Sequence, residues 1–205
     1  MDFDALAQTW DTKDRMNRAQ MIAQEIQKEI SGETYHKALE FGCGTGLVSF
    51  NLHLVLREMT LADSSGEMIR IVKNKIRNYA LHNMSALQID IVKGEALPSS
   101  YDLIYSSMAL HHIADTQKLL HTLYSHLDKG GRICIVDLTQ DDGSFHKSET
   151  GFDGHNGFNT GDLANIFEKT GFRNITSRII YQGIKETEDG GAPYSLFLMT
   201  ATRKG

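Results

Sequence analysis

Residues 38–46 read Ala38-Leu39-Glu40-Phe41-Gly42-Cys43-Gly44-Thr45-Gly46, a short apolar run that breaks into glycine at every second position. Apolar residues ahead of Gly42 predict a buried strand, and the stretch from Gly46 to about Leu54 predicts the helix that follows. Glycines at such a junction permit positive φ and let a ligand lie against bare backbone. The free N–H groups of the helix start face the same space. A dinucleotide fingerprint of the Gly-x-Gly-x-x-Gly kind needs its third glycine one position later, where Leu47 stands.

The same rhythm extends outward. Upstream, Ala19, Ile22, Ile26 and Ile30 share one face of a predicted helix over 16–30, stopped by Ser31-Gly32. Downstream come a strand at 58–62, a helix at 64–79 with Met68, Ile71, Val72 and Ile76 inward, and strands at 85–89, 102–106 and 132–137. A helix over 116–127, with Leu119, Leu120, Leu123 and Leu127 as its stripe, separates the last two strands. Short apolar strands alternating with amphipathic helices predict parallel crossovers, and so an open, doubly wound α/β sheet with helices on both faces. Asp63 ends the second strand, where its carboxylate can accept two hydrogen bonds from a ribose diol, and Asp90 ends the third. Ligands of such sheets bind beyond the carboxyl ends of strands, so the glycine loop, Asp63 and Asp90 should meet in one crevice.

Past the fifth strand the pattern changes. Five glycines and few aliphatics between Asp141 and Gly161 predict a long loop, taken as a substrate lid over 139–161. Phe152 and Phe158 would suit such a lid closing over an apolar acceptor. A helix near 162–169 follows, and then two β-rich runs, 174–182 and 194–201, flank turn-rich residues 187–193 as an antiparallel hairpin at the sheet edge. Without a linker or repeat, 1–205 is expected to be a single domain, with 1–32 as an N-terminal cap helix region.

Composition narrows the function. The first hundred residues hold 11 basic and 13 acidic side chains and the remainder 10 and 13, so no basic arm serves nucleic acid. Arg70, Lys73, Lys75 and Arg77 are expected on a solvated helix face. The most apolar stretch, 47–56, is broken by Ser49, Asn51 and His53 and falls short of the roughly 18 residues of a membrane span. The start Met-Asp-Phe-Asp has neither a basic nor an apolar leader region, which makes a cytoplasmic location the expectation. Cys43 and Cys134 are expected to be reduced and buried.

Taken in order, five motifs resemble the class I S-adenosylmethionine (SAM)-dependent methyltransferases. These are Glu40 to Gly46, Asp63-Ser64-Ser65-Gly66-Glu67-Met68, Asp90-Ile91, the run from Tyr101 through Ser106 to His111-His112-Ile113, and Leu127-Asp128-Lys129-Gly130-Gly131-Arg132. The resemblance covers about half the chain, from Ala38 to Asp137. It implies a seven-stranded sheet of order 3-2-1-4-5-7-6 with strand 7 antiparallel. It also implies that the backbone around Gly42, Cys43, Gly44, Thr45 and Gly46, with Glu40, lies along the methionine part of SAM. Asp63 and Ser64 would then hold the ribose, Met68, Asp90 and Ile91 would meet the adenine, and Ser106 would complete the cofactor side. S-adenosylhomocysteine is the implied product. Trp10, in a segment resembling the cap of small-molecule members, is expected either to face the sulfonium or to staple the N-terminal helix to the domain.

The acceptor is constrained mainly by what is missing. No Asn-Pro-Pro-Tyr or Asp-Pro-Pro-Tyr follows the fourth strand and no Pro-Cys pair exists, which disfavours base-amino and cytosine C5 methylation. The His-His-Ile ending resembles methyltransferases of quinone precursors and other small metabolites, so a small-molecule acceptor is expected. His111 or His112 would be the proton acceptor if one is needed, or would shape the pocket by hydrogen bonding to backbone. Asp137, Asp141 and Asp142 could offer oxygens to a divalent ion, but their spacing matches no ligand set and no metal is expected. Two other readings are a non-catalytic SAM-binding scaffold for another enzyme, and an NAD(P) oxidoreductase, which Leu47 disfavours.

Overall fold

The computed structural model describes residues 2–147, 149, 151–187 and 190–205. Helices α1 (Phe3–Leu6) and α2 (Lys13–Ile30) precede strand β1 (Lys37–Phe41), then follow α3 (Leu47–Leu52), β2 (Glu58–Asp63), α4 (Gly66–Asn78) and β3 (Met84–Gln88). The second half runs β4 (Tyr101–Ser107), α5 (Thr116–His126), β5 (Leu127–Leu138), α6 (Thr160–Thr170), β6 (Phe172–Thr187) and β7 (Gly190–Arg203). The seven strands form one sheet of order β3-β2-β1-β4-β5-β7-β6, parallel except at β7, which runs antiparallel to both neighbours.

β1 is an interior strand, four of its five residues buried, with apolar packing covering both of its faces. On one side Ile22, Ile26, Leu52 and Val72 from α2, α3 and α4 pack on Ala38, Leu61 and Leu103. On the other, Leu120, Leu123 and Phe167 from α5 and α6 pack on Leu39, Ile104 and Ile133. Each fully buried Ile or Leu of these stripes stabilises the fold by about 1.5–3 kcal/mol. The caps are those the residue types favour: Thr12 accepts from Arg15 N at 3.3 Å, Ser65 from Met68 N at 3.1 Å and Asn159 from Gly161 N at 2.9 Å.

Predicted and observed elements differ by a residue or two at most ends, but not in the hairpin. Gly190 and Gly191, placed in the turn by their composition, belong to β7 and pair with Thr187 and Glu186. At Gly191 the Ile184 side chain occupies the space a Cβ would need, so this strand position takes only glycine. Residues 188 and 189 of the expected turn lie outside the described residues. Both cysteines are buried and free, Cys134 in β5 with burial pushing its thiol up to about 12. Among the described residues no helix is long and apolar enough to cross a membrane.

The described residues of the segment 139–161, the expected lid, pack against the sheet and the loop after β4. None of its described residues lines the main cavity. Phe145, His146 and Phe158 are buried, Phe152 stacks on His146 with ring centroids 3.7 Å apart, and Phe158 meets Phe197 edge-on. His155 N donates to His111 O at 2.7 Å, and Gly154 lies so close to that carbonyl that a side chain would overlap it. The segment therefore buttresses the loop after β4 from behind.

Candidate functional site

One cavity of about 170 Å³, open to solvent at its mouth, lies at the carboxyl ends of β1, β2, β3 and β4. This is where successive strands depart to opposite sides of the sheet, the usual ligand position in an open α/β fold. Of the residues singled out from sequence, the cavity brings together Trp10, Glu40, Gly42, Cys43, Gly44, Thr45, Asp63, Ser64, Met68, Asp90, Ile91 and His112.

The glycine loop is held from below. Gly42 and Gly44 have φ of +67° and +53°, and the ring edge of Trp10 stands beside Gly44, where an added Cβ would lie 3.5 Å from Nε1. Asp63 fixes the loop: Gly44 N donates to its Oδ2 at 2.8 Å and Ser65 N to its Oδ1 at 2.9 Å. Burial raises the Asp63 pKa, and the backbone donors work against that rise. Asp90 caps the short helix after β3, accepting from Lys93 N at 3.1 Å, and pairs with Lys93 Nζ at 3.0 Å.

Three expected site residues fall elsewhere. Gly46 turns its open face to the core, where a Cβ would stand 2.8 Å from the Phe50 ring. Ser106 is buried in β4 and donates to Phe41 O at 2.8 Å, so it braces β1 and does not reach the cavity. His111 is buried behind the cavity wall, its Nδ1 2.5 Å from Asp137 Oδ1 and its backbone N donating to Asp137 Oδ2 at 3.2 Å. Asp137 is thus committed to His111. Asp141 and Asp142 accept from backbone N–H groups of Gly143 and Ser144 at 2.8 and 3.1 Å, closing local turns.

The two ionisable groups of the cavity that matter most are shifted in opposite directions. Burial, and then the neighbouring His111, lowers the His112 pKa to about 3, so its ring is neutral across the physiological range. Burial pushes Glu40 up to about 8 although Ser49 donates to it. A carboxyl with a raised folded pKa binds a proton in the native state that the unfolded chain has released. Stability should therefore fall as pH rises from about 4.5 to about 8, by on the order of a few kcal/mol. Glu40→Gln, which mimics the protonated form, should flatten that slope in denaturant titrations between pH 5 and 9. An unchanged slope would show that Glu40 is already ionised at pH 5.

Several cavity residues carried no motif. Phe3 of α1 meets Trp10 and His112 edge-on, with centroids 5.8 and 5.1 Å apart. Arg15 and Arg18 extend the Ala19, Ile22 face of α2 into the cavity, a basic continuation of an apolar stripe that could have been noticed. Lys75 is not merely solvated: it pairs with Asp11 at 2.7 Å and donates to Thr45 O at 2.8 Å, tying the N-terminal segment to the glycine loop.

Comparison with known proteins bears on this geometry. The family model described as a methyltransferase domain matches residues 14–177. An uncharacterized methyltransferase of Schizosaccharomyces pombe is 29% identical over 150 residues, which span 66% of this chain and 53% of that protein. The chain thus spans about half the length of the curated relatives it matches. Among solved structures, a SAM-dependent methyltransferase from Aquifex aeolicus aligns with TM-score 0.70 at 16% identity over 97% of each chain. Phosphoethanolamine N-methyltransferase 2 of Haemonchus contortus, solved with phosphomonomethylethanolamine and S-adenosylhomocysteine, aligns with TM-score 0.74 at 16% identity over 89% of this chain and 52% of that one. At such identities the structural likeness speaks for the fold, while the family match covers most of the chain. A strand order with β7 reversed, a glycine loop held by Asp63 at the switch point and a family match over 164 residues agree with one another, and the chain belongs to the methyltransferase-domain family.

Proposed function

We propose that this chain binds SAM at the carboxyl ends of β1 to β3 and transfers its methyl group to a small-molecule acceptor. The observation that carries the reading is the convergence of bare glycine backbone, Asp63 and Asp90 on one cavity. The residues present fit the group. Asp63 spends one acceptor position on each oxygen inward, on Gly44 N and Ser65 N, and a carboxylate has about four, so two remain for a diol. Ile89, Ile91 and Met68 supply apolar walls beside Asp90 for a base whose edge needs a hydrogen-bond acceptor. Gly42 and Gly44 leave the room along the backbone that an amino-acid chain would occupy.

When bound, SAM supplies an electrophilic methyl carbon: the acceptor's lone pair forms the new bond and the carbon–sulfur pair leaves with the thioether. The chain's own part is alignment and exclusion of water. Phe3, Trp10 and His112 form an aromatic wall, and His112, uncharged, presents no cation to oppose a sulfonium. Burial lowers the His112 pKa, so in the empty cavity its ring is a weak proton acceptor. That the Haemonchus enzyme was solved with a small phosphorylated amine supports a small-molecule acceptor. The test has two arms: calorimetric titration with S-adenosylhomocysteine, and mass spectrometry of a metabolite extract incubated with the protein and methyl-labelled SAM. Saturable binding with label on a small molecule is the expected result. Binding without transfer would leave a scaffold, and no binding would remove the proposal.

A further inference from the structure

One side of the cavity carries two arginines that, among the described residues, form no direct ion pair. Arg15 and Arg18 are three residues apart on one face of α2 and both line the cavity, half-buried. Arg15 lies 4.0 Å over the Trp10 ring and donates to Trp10 O at 3.1 Å. Arg18 donates to the Tyr194 hydroxyl at 3.2 Å. Every polar partner is a neutral oxygen. Among the described residues, neither guanidinium has a carboxylate oxygen within 4.0 Å. The carboxylates whose charge reaches Arg15 are held by others: Asp11 by Lys75 at 2.7 Å and by Thr45, and Glu149 by His146 and Lys185 at 2.9 Å each.

The chain treats other packed arginines differently. Arg132 pairs with Glu33 at 2.8 Å, and Arg178 pairs with Glu25 and Glu29 at 2.6 and 2.9 Å. Two like charges partly stripped of water and left unpaired on a cavity wall are unfavourable in the empty protein, and an anion between them would relieve both the desolvation and the repulsion. Burial and Arg18 together lower the Arg15 pKa, but a guanidinium stays charged. The acids of the cavity, Glu40, Asp63 and Asp90, belong to β1, β2 and the loop after β3. Arg18, through Tyr194, is tied to β7, three places along the sheet from β1 on the opposite side. Arg15 and Arg18 thus make a basic side of the cavity beneath α2, while Asp63 and Asp90 lie toward β2 and β3 on the other.

We propose that Arg15 and Arg18 form an anion clamp, and that the methyl acceptor is a small molecule bearing a carboxylate or phosphate held by that clamp. Guanidinium forks match both groups by paired hydrogen bonds. The clamp rests on the methyltransferase reading for its role in substrate choice, but not for its existence as an anion site.

The decisive experiment saturates the protein with S-adenosylhomocysteine and titrates inorganic phosphate, and separately benzoate, while following arginine Nε–H resonances by NMR. Saturable shifts of two arginine resonances are expected, with affinity for the anion falling at least tenfold in Arg18→Gln. Affinity for S-adenosylhomocysteine should change less than twofold in that variant, whose melting curve serves as the folding control. If neither anion moves those resonances, or if anion affinity is the same in Arg18→Gln, the clamp is wrong. If Arg15→Gln and Arg18→Gln both lose S-adenosylhomocysteine tenfold and the loaded protein ignores the anions, the arginines serve the cofactor's own carboxylate and the acceptor proposal falls. Should the wild-type protein fail to bind S-adenosylhomocysteine at all, the methyltransferase reading fails separately, and the anion titration on the protein alone still decides the clamp.

Discussion

Gly42→Ala is expected to abolish detectable binding of S-adenosylhomocysteine and to destabilise the fold by about 3 kcal/mol, a fall in melting temperature of roughly 6–12 °C for a chain of this size. Two separate effects add. At φ +67° an L side chain is strained, and the new Cβ would overlap that of Ala109, which closes on the glycine loop from the end of β4. The second effect has a specific remedy. Ala109→Gly leaves only its Cα, 3.9 Å from the built Cβ, which is ordinary contact. The double variant Gly42→Ala/Ala109→Gly should therefore recover about 1–2 kcal/mol of the stability and part of the binding, still short by the ~1–2 kcal/mol cost of the left-handed conformation. Additive losses in the double variant, measured by denaturant titration, would show that the loop yields and that the contact with Ala109 does not matter.

Asp63→Ala is expected to weaken S-adenosylhomocysteine binding by about 1–3 kcal/mol through lost charge-assisted hydrogen bonds. A further effect follows from its inward partners, because Gly44 N and Ser65 N lose their acceptor together. The loop and the start of α4 should loosen, seen as faster amide exchange at Gly44 and Ser65 even without ligand. Asp63→Asn separates the roles: one side-chain oxygen remains, so one of the two amides stays protected while the charge is gone. Should Asp63→Ala bind S-adenosylhomocysteine as tightly as the parent protein, the carboxylate has no part in holding it.

The sheet was legible because its strands and helices each carry a period of their own, and because glycine and aspartate mark the ends of β1 and β2. The cofactor half of the cavity was legible for the same reason: those residues follow one another along the chain. What escaped was assembled from a distance. Arg15, Arg18 and Phe3 reach the cavity only because α2 and α1 fold back over it, and no local spacing encodes that. Lys75 looked like one basic residue among four on a helix face, yet it meets Asp11 and Thr45. His111 and Ser106 show the converse. They sit within the recognisable motif, but the alternation of a strand and the turn after it send them inward, to Asp137 and Phe41. Gly191 and Gly154 lack a side chain because a neighbour, Ile184 or the His111 carbonyl, occupies its place, and no local spacing encodes that.

One feature of the N-terminal segment bears on kinetics. Residues 2–12 form a wall of the cavity through Phe3 and Trp10, and they are pinned at both ends: Asp4 accepts from Ser65 Oγ at 2.5 Å and Glu67 N at 3.1 Å, and Asp11 holds Lys75 and Thr45. A molecule lying under that wall leaves on that side only when the pins release. Opening of that segment would add a second way out beside the mouth, and salt, which screens the Asp11–Lys75 ion pair, should ease it and shorten residence.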